Sequence, residues 1–157
     1  MFEVREDDFD IGLEYENIRK VSGDAGAIVT FTGLVREFWH AGTESIRSNK
    51  TLLLEHYPGM TEKQLRKIEN EAHERWELLD SLIIHRFGRL KPKDKIVLVI
   101  TASAHRKAAF ESCQFLMDWL KTKAPFWKME ETETGSHWVE AKSSDDLELE
   151  KWLEKNK

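Results

Sequence analysis

A single cysteine in 157 residues removes several ways of holding a fold together. Cys113 cannot close an internal disulfide, and no Cys/His cluster has the spacing of a zinc finger. No apolar run is long: the longest, Ile96–Ile100, is far too short to cross a bilayer. The first residues, Met1-Phe-Glu-Val-Arg-Glu-Asp-Asp, lack the basic and apolar regions of a signal peptide, so a cytoplasmic protein is expected. Positive charge is also in deficit. A net charge of -5, with no basic-aromatic stripe, argues against nucleic acid as a partner. Any anion site must therefore be local, built from a few placed cations. No repeat or low-complexity linker divides the chain, so residues 1–157 are read as one domain, with roughly 143–157 as a C-terminal tail.

What is present is an irregular alternation of helical and extended patterns. Ile11, Tyr15 and Ile18 set a helical spacing over Ile11–Val21, which Gly23-Asp24-Ala25-Gly26 breaks. Ala27–Thr32 reads as a strand ending at Gly33. A polar stretch without period follows from Glu37 to Lys50, and Thr51–Tyr57 is extended again. Thr61, with Gln64 three residues on, has the pattern of a capping box ahead of a helix carrying Leu65, Ile68, Ala72 and Trp76 on one face. Leu82–His85 and Ile96–Thr101 have strand length, separated by turn chemistry at Leu90–Asp94. The strongest helix is His105–Lys121, with Ala109, Phe110, Cys113, Leu116, Met117 and Leu120 in an apolar stripe. Pro125 stops its continuation. Phe126–Thr132 and His137–Ala141 form a hairpin through Gly135, and Leu147, Leu149, Trp152 and Leu153 suit a short packed helix. The mixture predicts an α+β fold. Trp76, Trp119, Trp127 and Trp138 fall at core-like positions, whereas Trp39 lies in the polar stretch.

Three segments could carry chemistry. Ser103-Ala-His105-Arg106 joins a strand to a helix, where free N–H groups and positive potential favour an anion. Residue type alone favours a surface ion pair for Arg106 and a structural hydrogen bond for His105. Lys121 and Lys128, seven positions apart, flank a helix-to-strand reversal that can bring two ammonium groups to one pocket. Strand alternation puts Phe126, Lys128 and Glu130 on one face, with Trp127 and Met129 on the other. Against a catalytic role, a lysine in a last helical turn already complements the helix dipole. In Thr30-Phe-Thr-Gly33-Leu-Val-Arg36 the glycine permits a close backbone approach, and Arg36 opens the polar stretch. Cys113, within an apolar stripe, reads as a small buried hydrophobe. If the protein handles sulfur, the sulfur comes from elsewhere.

Taken in order, Val29-Thr-Phe-Thr-Gly33 with Val35-Arg36, Leu54-Glu-His-Tyr-Pro-Gly-Met-Thr61 and Ile84-His-Arg-Phe-Gly88 resemble the family of molybdopterin synthase large, catalytic subunits. Ser103–Arg106, Phe115–Asp118, Leu120-Lys-Thr-Lys-Ala-Pro-Phe-Trp-Lys128 and Trp138-Val-Glu-Ala141 continue the resemblance in family order. It implies an α/β-hammerhead type of fold, with a mixed or antiparallel sheet, packed helices and a C-terminal hairpin. It implies a homodimer at the core of a heterotetramer, with a small ubiquitin-like subunit at each end carrying a thiocarboxylated Gly-Gly C-terminus. The implied reaction is sulfur transfer to cyclic pyranopterin monophosphate (precursor Z), forming the dithiolene of molybdopterin without metal or cofactor.

The same resemblance gives Lys121 the position of the central catalytic lysine and makes Lys128 a second cation or acid/base. Arg36, His105 and Arg106 become substrate contacts, with Leu34, Val35, Met129 and Glu130 beside them. Phe31 and Met117 would line the partner-tail channel. Lys142 matches a basic position that reaches the neighbouring subunit's site. Leu34 and Met129 depart from the family, standing where basic residues are common. An adaptor that merely binds a ubiquitin-like tail is the other reading, and it would not need both lysines in one pocket.

Overall fold

The computed structural model describes residues 1–36, 51–132, 135–139 and 150–152. Two four-stranded sheets organise them. The first contains β1 (Phe2–Arg5), β4 (Leu78–Arg86), β6 (Lys95–Ser103) and β2 (Ala27–Leu34), in that spatial order. β1 runs parallel to β4, and the other pairings are antiparallel. Helices α2 (Met60–Arg75) and α3 (Arg106–Thr122) cover one face, where Leu65, Ile68, Ala72, Phe115, Leu116 and Leu120 meet Ile83, Val97 and Val99. Helix α1 (Ile11–Val21) covers the other, with Ile18 and Phe9 against Leu82, Ile84, Leu98 and Ile100. Burial of β4 and β6 on both sides explains their near-continuous apolar runs.

The second sheet is antiparallel throughout, in the order β5 (Gly88–Leu90), β3 (Thr51–His56), β7 (Phe126–Thr132), β8 (Gly135–Val139). Its inner face packs Leu52, Leu54 and Leu90 on Val35. Its outer face is wet and aromatic. Trp127 is 42% and Trp138 57% exposed, so the core positions expected for these two are corrected. Alternation was right, but among the described residues only one side of the sheet is packed.

Other differences have local causes. α2 starts at Met60, not after a Thr61 cap. Gly59 takes φ 83°, a conformation glycine adopts without penalty, and its N–H donates to the Glu62 carboxylate at 2.5 Å. Thr61 is instead buried, and its hydroxyl donates to the Tyr57 carbonyl at 3.0 Å. β4 begins four residues earlier than its apolar run, its register shifting between Leu78 and Asp80. β5, three residues long, has too few positions to show a period. Of the tail, Trp152 is buried edge-on to Trp76 and Phe115, its indole N–H donating to Asp118 at 2.8 Å. Leu147, Leu149, Leu153, Trp39 and the Glu37–Lys50 stretch lie outside the described residues. Among those described, no helix is long and apolar enough to cross a membrane.

Candidate active site

At one end of the first sheet, β6 hands over to α3 through Ser103-Ala104-His105. Gly26 packs on this corner: its N–H donates to the Ser103 carbonyl at 3.1 Å, and a Cβ there would lie 2.3 Å from the Ala104 carbonyl oxygen. The Ser103 hydroxyl, buried, is tied to the Glu77 carbonyl at 2.9 Å. His105 is the N-cap residue of α3 in extended conformation, and its side chain makes no capping bond. The first turn has no acidic residue, and His105, Arg106 and Lys107 are all exposed. Uncapped N–H groups and three basic side chains thus share one helix end, an arrangement that suits a phosphate or carboxylate.

The opposite end of α3 gathers the other cations. Lys121 is exposed in the last turn, after Leu120 and one turn beyond Met117, both buried in the main core. The chain reverses through Lys123–Pro125 into β7, where Lys128 is exposed. Lys128 lies opposite Leu54, and Glu130 opposite Leu52, so both belong to the sheet face that packs on Val35. Glu130 is buried there, while Met129 is half-buried on the other face. β2 arrives at this end too. Gly33 approaches so closely that an added Cβ would meet Val97 at 2.6 Å and the Phe31 ring at 3.5 Å. Phe31 (40%) and Leu34 (54%) are exposed, Val35 is buried, and Arg36 is exposed as the chain leaves the sheet.

Strand pairing, with Leu34 opposite Lys95, and the run of α3 therefore put Arg36 and Lys121 towards the same end of the first sheet, and Lys128 follows two residues after Phe126, which stacks on His85 of that sheet. His105 and Arg106 are not with them. Fifteen residues separate Arg106 from Lys121 on one helix, a span of about 22 Å at 1.5 Å per residue. Within one chain the two sets of cations stand at opposite ends of a rod. Lys142 is outside the described residues.

Sequence reading passed over His85. It is buried on β4, its Nδ1 lies 2.9 Å from the Arg86 carbonyl oxygen, and its ring stacks on Phe126 at 3.7 Å between centroids. Burial pushes its pKa down to about 4, with the nearby charges of Lys128 and His56 adding to the effect. The signal was a histidine that closes the apolar run Leu82–Ile84 on the face, shared with Ile83, that the helices cover. Cys113, by contrast, is as inert as expected: burial raises its thiol pKa to about 11.

The family described as MoaE protein matches residues 4–123 of the chain. The molybdopterin synthase catalytic subunit of Escherichia coli is 51% identical over 144 residues, covering 92% of each chain. The solved structure of a molybdopterin biosynthesis MoaE protein from Burkholderia ambifaria superposes with a TM-score of 0.81 at 46% identity, over 97% of both chains. A complex of subunits 1 and 2 of molybdopterin-converting factor from Helicobacter pylori shares the fold, with a TM-score of 0.71 at 17% identity over 90% of this chain and 92% of that one. An α+β architecture, the ordered motifs around Arg36, Arg106 and Lys121–Lys128, and these matches agree: the chain belongs to the MoaE family.

Proposed function

We infer that this protein is the catalytic subunit of a molybdopterin synthase, an enzyme of molybdenum cofactor biosynthesis. It transfers sulfur from the thiocarboxylated C-terminus of a small ubiquitin-like partner to cyclic pyranopterin monophosphate. What supports the reading is topology: β2 ends with Leu34 opposite Lys95, α3 runs back from the far end of β6, and Phe126 stacks on His85 two residues before Lys128, so Arg36, Lys121 and Lys128 lie towards one end of the first sheet in a chain of net charge -5. A field of that sign repels a thiocarboxylate tail and a cyclic phosphate alike, so local cations must receive them. Lys121 holds the thiocarboxylate and stabilises the negative charge that develops on the acyl oxygen when the acyl carbon is attacked. Lys128 is the second cation and the proton-handling group at the same centre. Exposed Phe31 beside Gly33 offers an apolar wall for the incoming tail, and buried Met117 supports Lys121 from beneath. The sulfur arrives on the partner, consistent with a buried, high-pKa Cys113.

The separation along α3 bears on assembly. A substrate cannot touch Arg106 and Lys121 of one chain across about 22 Å of helix. In a homodimer, the α3 N-terminus of one copy can face the lysines of the other. His105 and Arg106 then hold the phosphate in the neighbour's site, and Lys142 is a further basic contribution across the same interface.

The reading is tested by mixing the protein with a thiocarboxylated small subunit and cyclic pyranopterin monophosphate, then assaying molybdopterin. Product is expected with wild type. Lys121→Ala should lower the rate by about two orders of magnitude, the usual cost of losing a group that stabilises developing charge. Full product formation by that variant would leave only a tail-binding adaptor.

A further inference from the structure

β7, which carries Lys128, pairs only with β3 and β8 of the second sheet among the described residues. Its register is therefore set by strands remote from α3, although Lys128 must work in concert with Lys121 at the end of that helix. A side-chain contact crosses between the sheets at this point. Phe126, two residues before Lys128 and on the same face, stacks on His85 of β4 at 3.7 Å and 15°. This is the shortest ring-to-ring approach among the described residues.

The His85 ring is itself fixed. A carbonyl can only accept, so the 2.9 Å contact to the Arg86 carbonyl places the proton on Nδ1 and sets the ring's roll. His56 braces Phe126 from β3, with ring centroids 6.1 Å apart. It rests in turn on Phe87 at 4.5 Å. The His56 Nδ1 lies 3.3 Å from Thr61 Oγ1, whose own hydroxyl proton goes to the Tyr57 carbonyl. Two oriented imidazoles thus hold one phenyl ring at the root of the strand that presents Lys128. Burying a histidine beside Ile83 and Ile84 on β4 is costly unless its ring is hydrogen-bonded, and the Nδ1 bond to the Arg86 carbonyl offsets part of that cost. Burial also holds its pKa well below the ordinary histidine range.

We propose that His85 is a positioning residue for Lys128, acting through the ring of Phe126 to fix where β7 presents the ammonium group. The proposal rests on the reading of Lys128 given above, but its first readout does not depend on activity. Full-length protein labelled with 13C at lysine Cε is followed by NMR, the Lys128 resonance being the one lost in Lys128→Arg. In His85→Ala that resonance moves from its wild-type position and broadens. The kcat for molybdopterin formation falls about tenfold while KM for the pterin substrate holds, the signature of a group acting at the reacting centre. His85→Phe, which keeps a stackable ring, restores both. Should His85→Ala not fold, His85→Leu fills the space without a ring and carries the same expectations. A Lys128 resonance that stays in place when the ring is removed overturns the proposal, whatever the rate does. A resonance that moves while kcat holds supports the positioning and overturns the role of Lys128 in the reaction instead.

Discussion

Two single residues make claims that can be measured. His85 has a folded-state pKa of about 4 against 6.5 in an unstructured chain, because burial disfavours its charged form. The unfolded chain therefore binds a proton that the folded one refuses between those values. The contribution is fully present above pH 6.5 and is lost as pH falls towards 4. The full difference is worth about 3 kcal/mol, of which about 2 kcal/mol is gone by about pH 5. Burial lowers the pKa of His73 as well, and it adds in the same direction. Denaturant unfolding of His85→Phe from about pH 7 to about pH 5 should show a flatter loss than wild type. Gly26 makes the second claim. An alanine Cβ there would sit 2.3 Å from the Ala104 carbonyl oxygen, backbone that cannot swing aside. Gly26→Ala should cost about 1–3 kcal/mol in equilibrium unfolding and displace the corner that aims His105 and Arg106.

Among the elements, helix and strand were legible where a period ran long enough. α1 over Ile11–Val21 and β7 over Phe126–Thr132 were read to the residue, because apolar spacing and a flanking breaker mark both ends. The start of α2 was misread because Thr61 has a capping side chain but Gly59 has the backbone freedom, and the turn after Pro58 requires the latter. Its true device is the Glu62 carboxylate closing on the Gly59 N–H. Glu62→Ala should therefore destabilise the protein by about 1 kcal/mol, whereas Gln64→Ala should be nearly neutral, a contrast that thermal melts can resolve. The lysines at 121 and 128 were visible as a pair across a reversal. His85 was not, since its partner Phe126 lies 41 residues away and only the meeting of two sheets brings the rings together.

For the whole molecule, what the chain could not reveal was the distance between its own cations. Sequence order places Arg106 and Lys121 on one helix, and the helical rise sets them about 22 Å apart within one copy. The two-copy reading has a direct test by complementation. Arg106→Ala and Lys121→Ala homodimers should each be inactive. Co-refolded mixtures should recover roughly a quarter of wild-type activity, because half the dimers are mixed and each mixed dimer holds one intact site. No recovery, with mixed dimers verified by mass, would place both residues in the same copy's site.

α3 thereby acts as a measuring rod. Because a helix advances and turns in fixed steps, its 17 residues set both the separation and the relative azimuth of the groups at its ends. A loop of equal length could absorb an insertion, but this helix cannot. Removing one residue between Arg106 and Lys121 would swing the lysine by about 100° around the axis relative to Arg106 and draw it about 1.5 Å closer. Length in this helix is thus under a stricter constraint than composition: side chains on its solvent face can vary, while the number of its residues cannot.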